Sequence, residues 1–560
     1  MRLLLLSLAG LFLFSCNNDA ERSIGALGDQ AMVVSAHPIA TRAGVEILKN
    51  GGNAIDAAVT VHLMLAVVYP RAGNIGGGGF AVIREQDGDL SCLDFREKAP
   101  GKASEKMYQD ANGEVMSQMS KLGHLAAGVP GSVAGLWELH QKYGSKDWGE
   151  LVQPAIDVAF DGFYITENEA NALKAGQENF ALANKYTPWP IKEEWQPDDL
   201  VIQKQLAATL SFIRDSGKKG FYSGIVADQI EKEMQRGGGL ITKEDLESYE
   251  AVWREPVIGA YKGYKVISMS PPSSGGIALL QMLQGAEQLG LGNEGHNTTQ
   301  AVHLMAEIER TVFADRAQYL GDPDYFDVPQ AQLLDPDYNT SRFSDISLTS
   351  ARPSSEVYAG KMEMTESLET THYSIVDPFG NSISITTTLN GNYGSKVMVE
   401  GAGFFLNNEM DDFSAKPGTP DMFGLRTGLN NAIVPGKRML SSMTPTILEK
   451  DGELSMVLGT PGGPTIITSV FQTIINVVDH HMTIQKAVSA KKVHHQWQPD
   501  RILVEEGALT DKQIDELKAM GHNIEMRNAI GRTDCILVTE NNQLEGGADY
   551  TRGDDYAEGF

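Results

Sequence analysis

Residues 362–377 read MEMTESLETTHYSIVD, and the change of texture inside them decides how the chain divides. Met362 to Glu369 is polar and unpatterned, whereas Tyr373-Ser374-Ile375-Val376 has the β-rich character of a strand. Thr370-Thr371-His372 stands at the junction. Taken alone, this tripeptide is a β-prone threonine pair opening a strand. In this position it also meets the needs of one kind of chemistry. If the Glu369–Thr370 peptide bond is cut, Thr370 gains an α-amino group with an ordinary pKa of about 8. That amine can take the proton of the residue's own hydroxyl, so nucleophile and base share one residue.

Downstream, Ser382-Ile383-Ser384-Ile385 pairs with the first strand across Asp377-Pro378-Phe379-Gly380-Asn381. Thr446-Ile447-Leu448 and Leu454 to Leu458 form a second pair through Asp451-Gly452, and a helical run from Ile466 to Val478 follows. Upstream, Ala40 to Lys49 has helical spacing stopped by Asn50-Gly51-Gly52. Asn53 can cap the next helix, with Asp56 in its first turn. That helix is apolar nearly all round until Pro70, which predicts burial. A hairpin spans Phe80 to Phe95 through Asp87-Gly88, and residues 104–260 alternate amphipathic helices with polar connectors. Residues 320–368 are rich in Asp, Pro, Ser and Thr, which predicts an exposed, flexible segment. Helices in the first part and paired strands in the second predict a layered α/β (α+β) architecture rather than a bundle or a barrel.

The chain has 560 residues, with 46 Lys+Arg against 73 Asp+Glu, a net charge of −27 and 42% hydrophobic residues. It can therefore bury a large core, and a nucleic-acid partner is excluded for want of clustered cations. Three cysteines, Cys16, Cys92 and Cys535, are too few for a disulfide framework or a Cys-rich zinc site. Met1 to Ser15 is one arginine and a short apolar run, suited to a secretory signal and too short to span a bilayer. Phe14-Ser15-Cys16 resembles the lipobox of bacterial lipoproteins, with Cys16 as the lipidated first residue; an ordinary cleaved signal is the alternative. Cys92 and Cys535 read as two buried thiols.

Other motifs fall to plainer readings. Gly76-Gly77-Gly78-Gly79-Phe80-Ala81 matches a dinucleotide pattern, but it follows a helix and precedes a strand, the reverse of what a cofactor loop needs. A close backbone crossing explains it better. His480-His481 and His494-His495 lack metal-ligand spacing, and no Gly-x-Ser-x-Gly elbow occurs. No metal and no cofactor are expected.

From Thr370 onward the chain resembles the γ-glutamyltransferase (γ-glutamyl transpeptidase) family of the N-terminal-nucleophile hydrolase superfamily. The matching stretches are TTHYSIVD, TTTLN ending at Asn390, FFLNNEMDDFSAKPG at 404–418, SSMTPT at 441–446 and GTPGGP at 459–464. Gly51 to Ala58, LDFREKAP at 93–100 and Gly128 to Ser132 extend the resemblance to the first part. It implies a four-layer αββα sandwich formed by two chains from one autocleaved precursor. Residues 1–15 would be the signal, 16–369 a large subunit and 370–560 a small subunit, the two associating as a heterodimer.

The resemblance also implies roles. Thr370 would be the nucleophile, first against the Glu369 carbonyl and then toward substrate, with Thr388 orienting it. Arg96 would bind the α-carboxylate of a γ-glutamyl donor such as glutathione, helped by the Ser441 and Ser442 hydroxyls. Asn390, Glu409 and Asp412 would hold the α-ammonium, and the backbone N–H groups of Gly462 and Gly463 would face the oxyanion. Acceptors would be water, amino acids or dipeptides. Lys416 to Gly428 resembles a lid loop, with Phe423 where many bacterial members place a tyrosine. Alternatives are a cephalosporin or glutaryl acylase of the same superfamily, or an uncleaved peptide-binding surface lipoprotein. Membrane contact is expected only through the Cys16 anchor.

Overall fold

The computed structural model describes residues 23–359, 370–416 and 428–560. Residues 1–15, Cys16, Glu369 and Phe423 lie outside these. Two seven-stranded antiparallel sheets form the centre. In one, Thr371–Val376 lies between Met32–Ser35 and Ser382–Thr388, and Gly78–Arg84 and Leu90–Asp94 follow outward. In the other, Glu453–Gly459 lies between Thr446–Lys450 and Asp534–Val538. Each sheet takes strands from both sides of Thr370. The expected division into a helical first part and a stranded second part therefore gives way to interleaving, because the early strands find their partners far along the chain.

The period-2 alternation of each strand builds the layers. Val34, Phe80, Val82 and Val376 face Ile267, Ile447, Val457 and Ile536 between the sheets. Tyr373, Ile375, Ile383 and Ile385 point the other way, onto a helical layer that includes Pro38–Lys49 and Ala54–Val68. Leu448, Met456 and Leu458 face a second helical layer of Gly275–Gln288, Thr299–Tyr319 and Thr465–Val478. The result is a four-layer αββα sandwich.

Local signals act where the sequence places them. The Asn53 Oδ1 accepts from the Ile55 and Asp56 amides at 3.0 and 2.9 Å, while the Asn53 N–H donates to the Asp56 carboxylate at 2.9 Å. All 15 residues of the helix they start, Ala54–Val68, are buried. Cys92 and Cys535 are free and buried. The segment 320–359, expected to be exposed, is exposed only in part. It contains the helices Gln330–Leu333 and Pro336–Phe343, and Ser354 and Val357 are buried. The Trp497 indole N–H donates to the carbonyls of both residues, at 3.0 and 2.8 Å, and the Ser354 N–H donates to Asp500 at 2.7 Å. Composition hid this, because the partners come from a distant stretch of chain.

Candidate active site

Thr371 pairs with Thr387 in the central sheet, and the same register carries Thr370 opposite Thr388. Both threonines stand at strand ends and are buried. The Asn390 N–H donates to the Thr388 Oγ1 at 2.7 Å, with Asn390 in the left-handed region at φ +72°. The Asn74 carboxamide donates to the Thr388 carbonyl at 3.0 Å and to the Thr387 hydroxyl at 3.2 Å. Gly77 crosses here so closely that a Cβ would lie 1.9 Å from the Thr388 carbonyl oxygen. The glycine run 76–79 is thus a backbone crossing beside Thr388.

Arg96 follows the strand Leu90–Asp94, and its N–H donates to the Asp94 carboxylate at 2.9 Å. Its guanidinium meets Glu409 at 2.6 Å, Glu97 at 3.3 Å, and Asp412. Glu409–Asp412 is one short 3-10 turn, which presents both acids to the same fork. Sequence assigned Arg96 to one end of a substrate head group and Glu409 and Asp412 to the other. Here the two ends are already paired with each other, and Glu97 joins them. Burial, with Glu97 and Asp412 nearby, drives the Glu409 carboxyl well above the usual range despite Arg96. Burial likewise pushes Glu97 up to about 7. Three carboxylates against one guanidinium hold a proton most readily when dehydrated.

Thr370, Thr388, Asn390, Arg96, Glu409, Asp412, Ser441, Ser442 and Gly463 line one cleft of about 210 Å³. Gly462 lines a wider adjoining cleft of about 680 Å³, and Thr370 borders both. Gly462 and Gly463, at φ +136° and +58°, turn the chain from the strand Glu453–Gly459 into the helix Thr465–Val478. Their amides therefore sit at a helix N-terminus, where the backbone dipole favours negative charge. Among the described residues no group of His, Cys, Asp or Glu is arranged to hold a metal ion.

The wider cleft holds residues that sequence reading missed: Arg71, Arg527, Arg532 and Arg552. Arg532 pairs with Asp555 at 3.0 Å, and Arg552 with Glu505 and Asp549 at 2.7 and 2.6 Å. No spacing ties these arginines together, so nothing local announced them. Glu97 sits within the LDFREKAP stretch, but its packing against Arg96 required the fold.

The gamma-glutamyltranspeptidase family model matches residues 40–559. The chain belongs to this family. A glutathione hydrolase proenzyme of Escherichia coli (strain K12) is 45% identical over 536 residues, 95% of this chain and 92% of that protein. An acylase ACY 1 proenzyme of Pseudomonas sp. (strain V22) is 36% identical, over 93% of this chain and 92% of its own. The solved cephalosporin acylase of Bacillus halodurans superposes with a TM-score of 0.84 at 26% identity, covering 98% of this chain and 99% of that one. The gamma-glutamyltranspeptidase family and acylases thus share the two-sheet scaffold.

Proposed function

We propose that this chain is a γ-glutamyltransferase and glutathione hydrolase that cuts itself at Glu369–Thr370 and then carries γ-glutamyl groups on Thr370. The observation that carries this reading is the convergence of Thr370 with Arg96, Glu409 and Asp412 in one cleft. A guanidinium and two carboxylates beside a nucleophile suit a head group bearing both an α-carboxylate and an α-ammonium. A glutaryl group lacks the ammonium, which disfavours an acylase.

In maturation, the Thr370 Oγ attacks the Glu369 carbonyl carbon, the peptide C–N bond breaks, and water hydrolyses the resulting ester. This leaves a carboxylate on Glu369 and a free amine on Thr370. In turnover, that amine takes the hydroxyl proton as the Oγ attacks the donor's γ-carbonyl. Thr388 orients the hydroxyl. The oxyanion is met by the N–H groups of Gly462 and Gly463, where one donor is typically worth about 10²–10³ in rate. The departing amine takes up the proton and leaves through the wider cleft. Water then releases glutamate, or an amino acid or dipeptide takes the γ-glutamyl group. Arg71, Arg527, Arg532 and Arg552 suit a leaving group or acceptor that carries a carboxylate.

Residues 1–15 are proposed as an export signal, Cys16 as a lipid anchor, and 16–369 and 370–560 as the paired subunits. Phe423 is proposed as the aromatic cover of the site without a tyrosine's hydroxyl bond. The test is purification followed by a denaturing gel and turnover of a γ-glutamyl anilide. Wild type should run as two bands and release glutamate, and Thr370→Ala should run as one inactive band. A wild type that stays intact and releases nothing sinks the reading.

A further inference from the structure

We propose that Arg316 is a positioning residue for γ-glutamyl donors: through Ser274 it holds the Ser441 backbone, and directly it holds Ser442, the two serines whose hydroxyls face the donor's α-carboxylate. The proposal rests on the reading of Ser441 and Ser442 given above.

Arg316 is 1% exposed on the helix Thr299–Tyr319. Its Nε–H donates to the Ser274 Oγ at 2.8 Å, and its Nη2 donates to the Ser442 Oγ at 3.5 Å. Ser274 in turn gives both its donors to one acceptor: its Oγ and its N–H reach the Ser441 carbonyl at 2.6 and 2.7 Å. The Ser441 N–H donates to the Pro272 carbonyl at 3.0 Å, and the Ser273 Oγ donates to the Met443 carbonyl at 2.5 Å. Residues 272–274 therefore brace 441–443 along their length, with Ser273 and Ser441 bridged in parallel.

Two consequences follow from the chemistry. Because the Ser274 hydroxyl accepts from a guanidinium, its own proton is directed to Ser441, and a charge-assisted chain is stiffer than a neutral one. Ser442 accepts from the same guanidinium at 3.5 Å, so one cation ties both stretches together. A lysine keeps the charge but lacks the planar fork that reaches two hydroxyls at once. Arg316 and Ser274 lie before Thr370, whereas Ser441 and Ser442 lie after it. The carboxylate side of the cleft is thus completed across the proposed cut, beyond what Arg96 alone supplies.

The experiment compares two donors on the purified, matured enzyme: a γ-glutamyl anilide, and a 4-aminobutyryl anilide that lacks only the α-carboxylate. Wild type, Arg316→Lys and Ser274→Ala are first checked for two bands. In both variants KM for the γ-glutamyl anilide should rise by about tenfold or more, while kcat/KM for the 4-aminobutyryl anilide stays within about twofold. A proportional loss on both donors would mean a merely structural role and overturn the proposal, as would no change on either. Should Arg316→Lys fail to fold, the milder Ser274→Ala decides by the same ratio. Wild type inactive on both donors would instead remove the underlying reading.

Discussion

The Arg96 guanidinium and the Glu409 carboxylate meet at 2.6 Å, each side chain only 1% exposed. An ion pair so far from water is sustained only when further groups complete it. Here Asp412, Glu97 and the carbonyls of Met439 and Leu440 do so. The cleft thus holds a preformed array of opposite charges.

Arg96→Met leaves Glu97, Glu409 and Asp412 without their shared cation. We expect a loss of about 3–5 kcal/mol of stability near neutral pH, and no measurable turnover of a γ-glutamyl anilide. The loss should shrink in acid, where Glu97 and Glu409 are protonated. Thermal unfolding between about pH 5 and 8 reads this, and equal losses across that range would contradict it.

Donor binding should follow pH. The folded-state pKa values of Glu97 and Glu409 lie above the ordinary carboxylate value. The Glu97 contribution to stability is therefore fully present below about pH 4.3 and is lost as pH rises through about 7, and that of Glu409 is likewise lost on raising the pH. An α-ammonium in the cleft favours the ionised forms. The inhibition constant of L-glutamate, measured against an anilide, should fall as pH rises from about 6 to about 8. A flat profile would contradict the assignment of these acids.

Gly77→Ala drives a Cβ against the Thr388 carbonyl, 1.9 Å away in the present backbone. Moving that strand end displaces the residue opposite Thr370. The variant should lose about 1–3 kcal/mol of stability and mature poorly, with most material at full length on a denaturing gel. Efficient maturation with normal activity would show that the crossing does not position Thr388.

Arg527→Ala removes charge from the wider cleft and leaves the Arg96 side untouched. Transfer to a dipeptide acceptor should weaken several-fold relative to hydrolysis of the same donor, since a carboxylate loses an attractive field. The ratio of dipeptide product to free glutamate measures it, and an unchanged ratio would exclude Arg527 from acceptor binding.

Much of this molecule was legible before folding, where the chemistry is local. The Asn53 cap, the hairpin through Asp87-Gly88 and the texture change at Thr370 each depend on residues within a turn or a strand. The candidate site residues came from motif resemblance, and the fold brings nine of them to one cleft. What could not be read were contacts made at long range. Arg316 meets Ser442 across 126 positions, and Trp497 secures Val357 across 140. The pairing of Arg96 with Glu409 was equally hidden, because each residue had been assigned to the substrate rather than to its neighbour.

Acid quenching during turnover, followed by mass spectrometry of the 370–560 piece, looks for the γ-glutamyl ester on Thr370 itself. A fragment beginning at Thr370 should be heavier by one glutamyl group, restored to its free mass by an amine acceptor, and absent in Thr370→Ala. Steady release of glutamate with the added mass on another residue, or with none after rapid quenching at saturating donor, would contradict it.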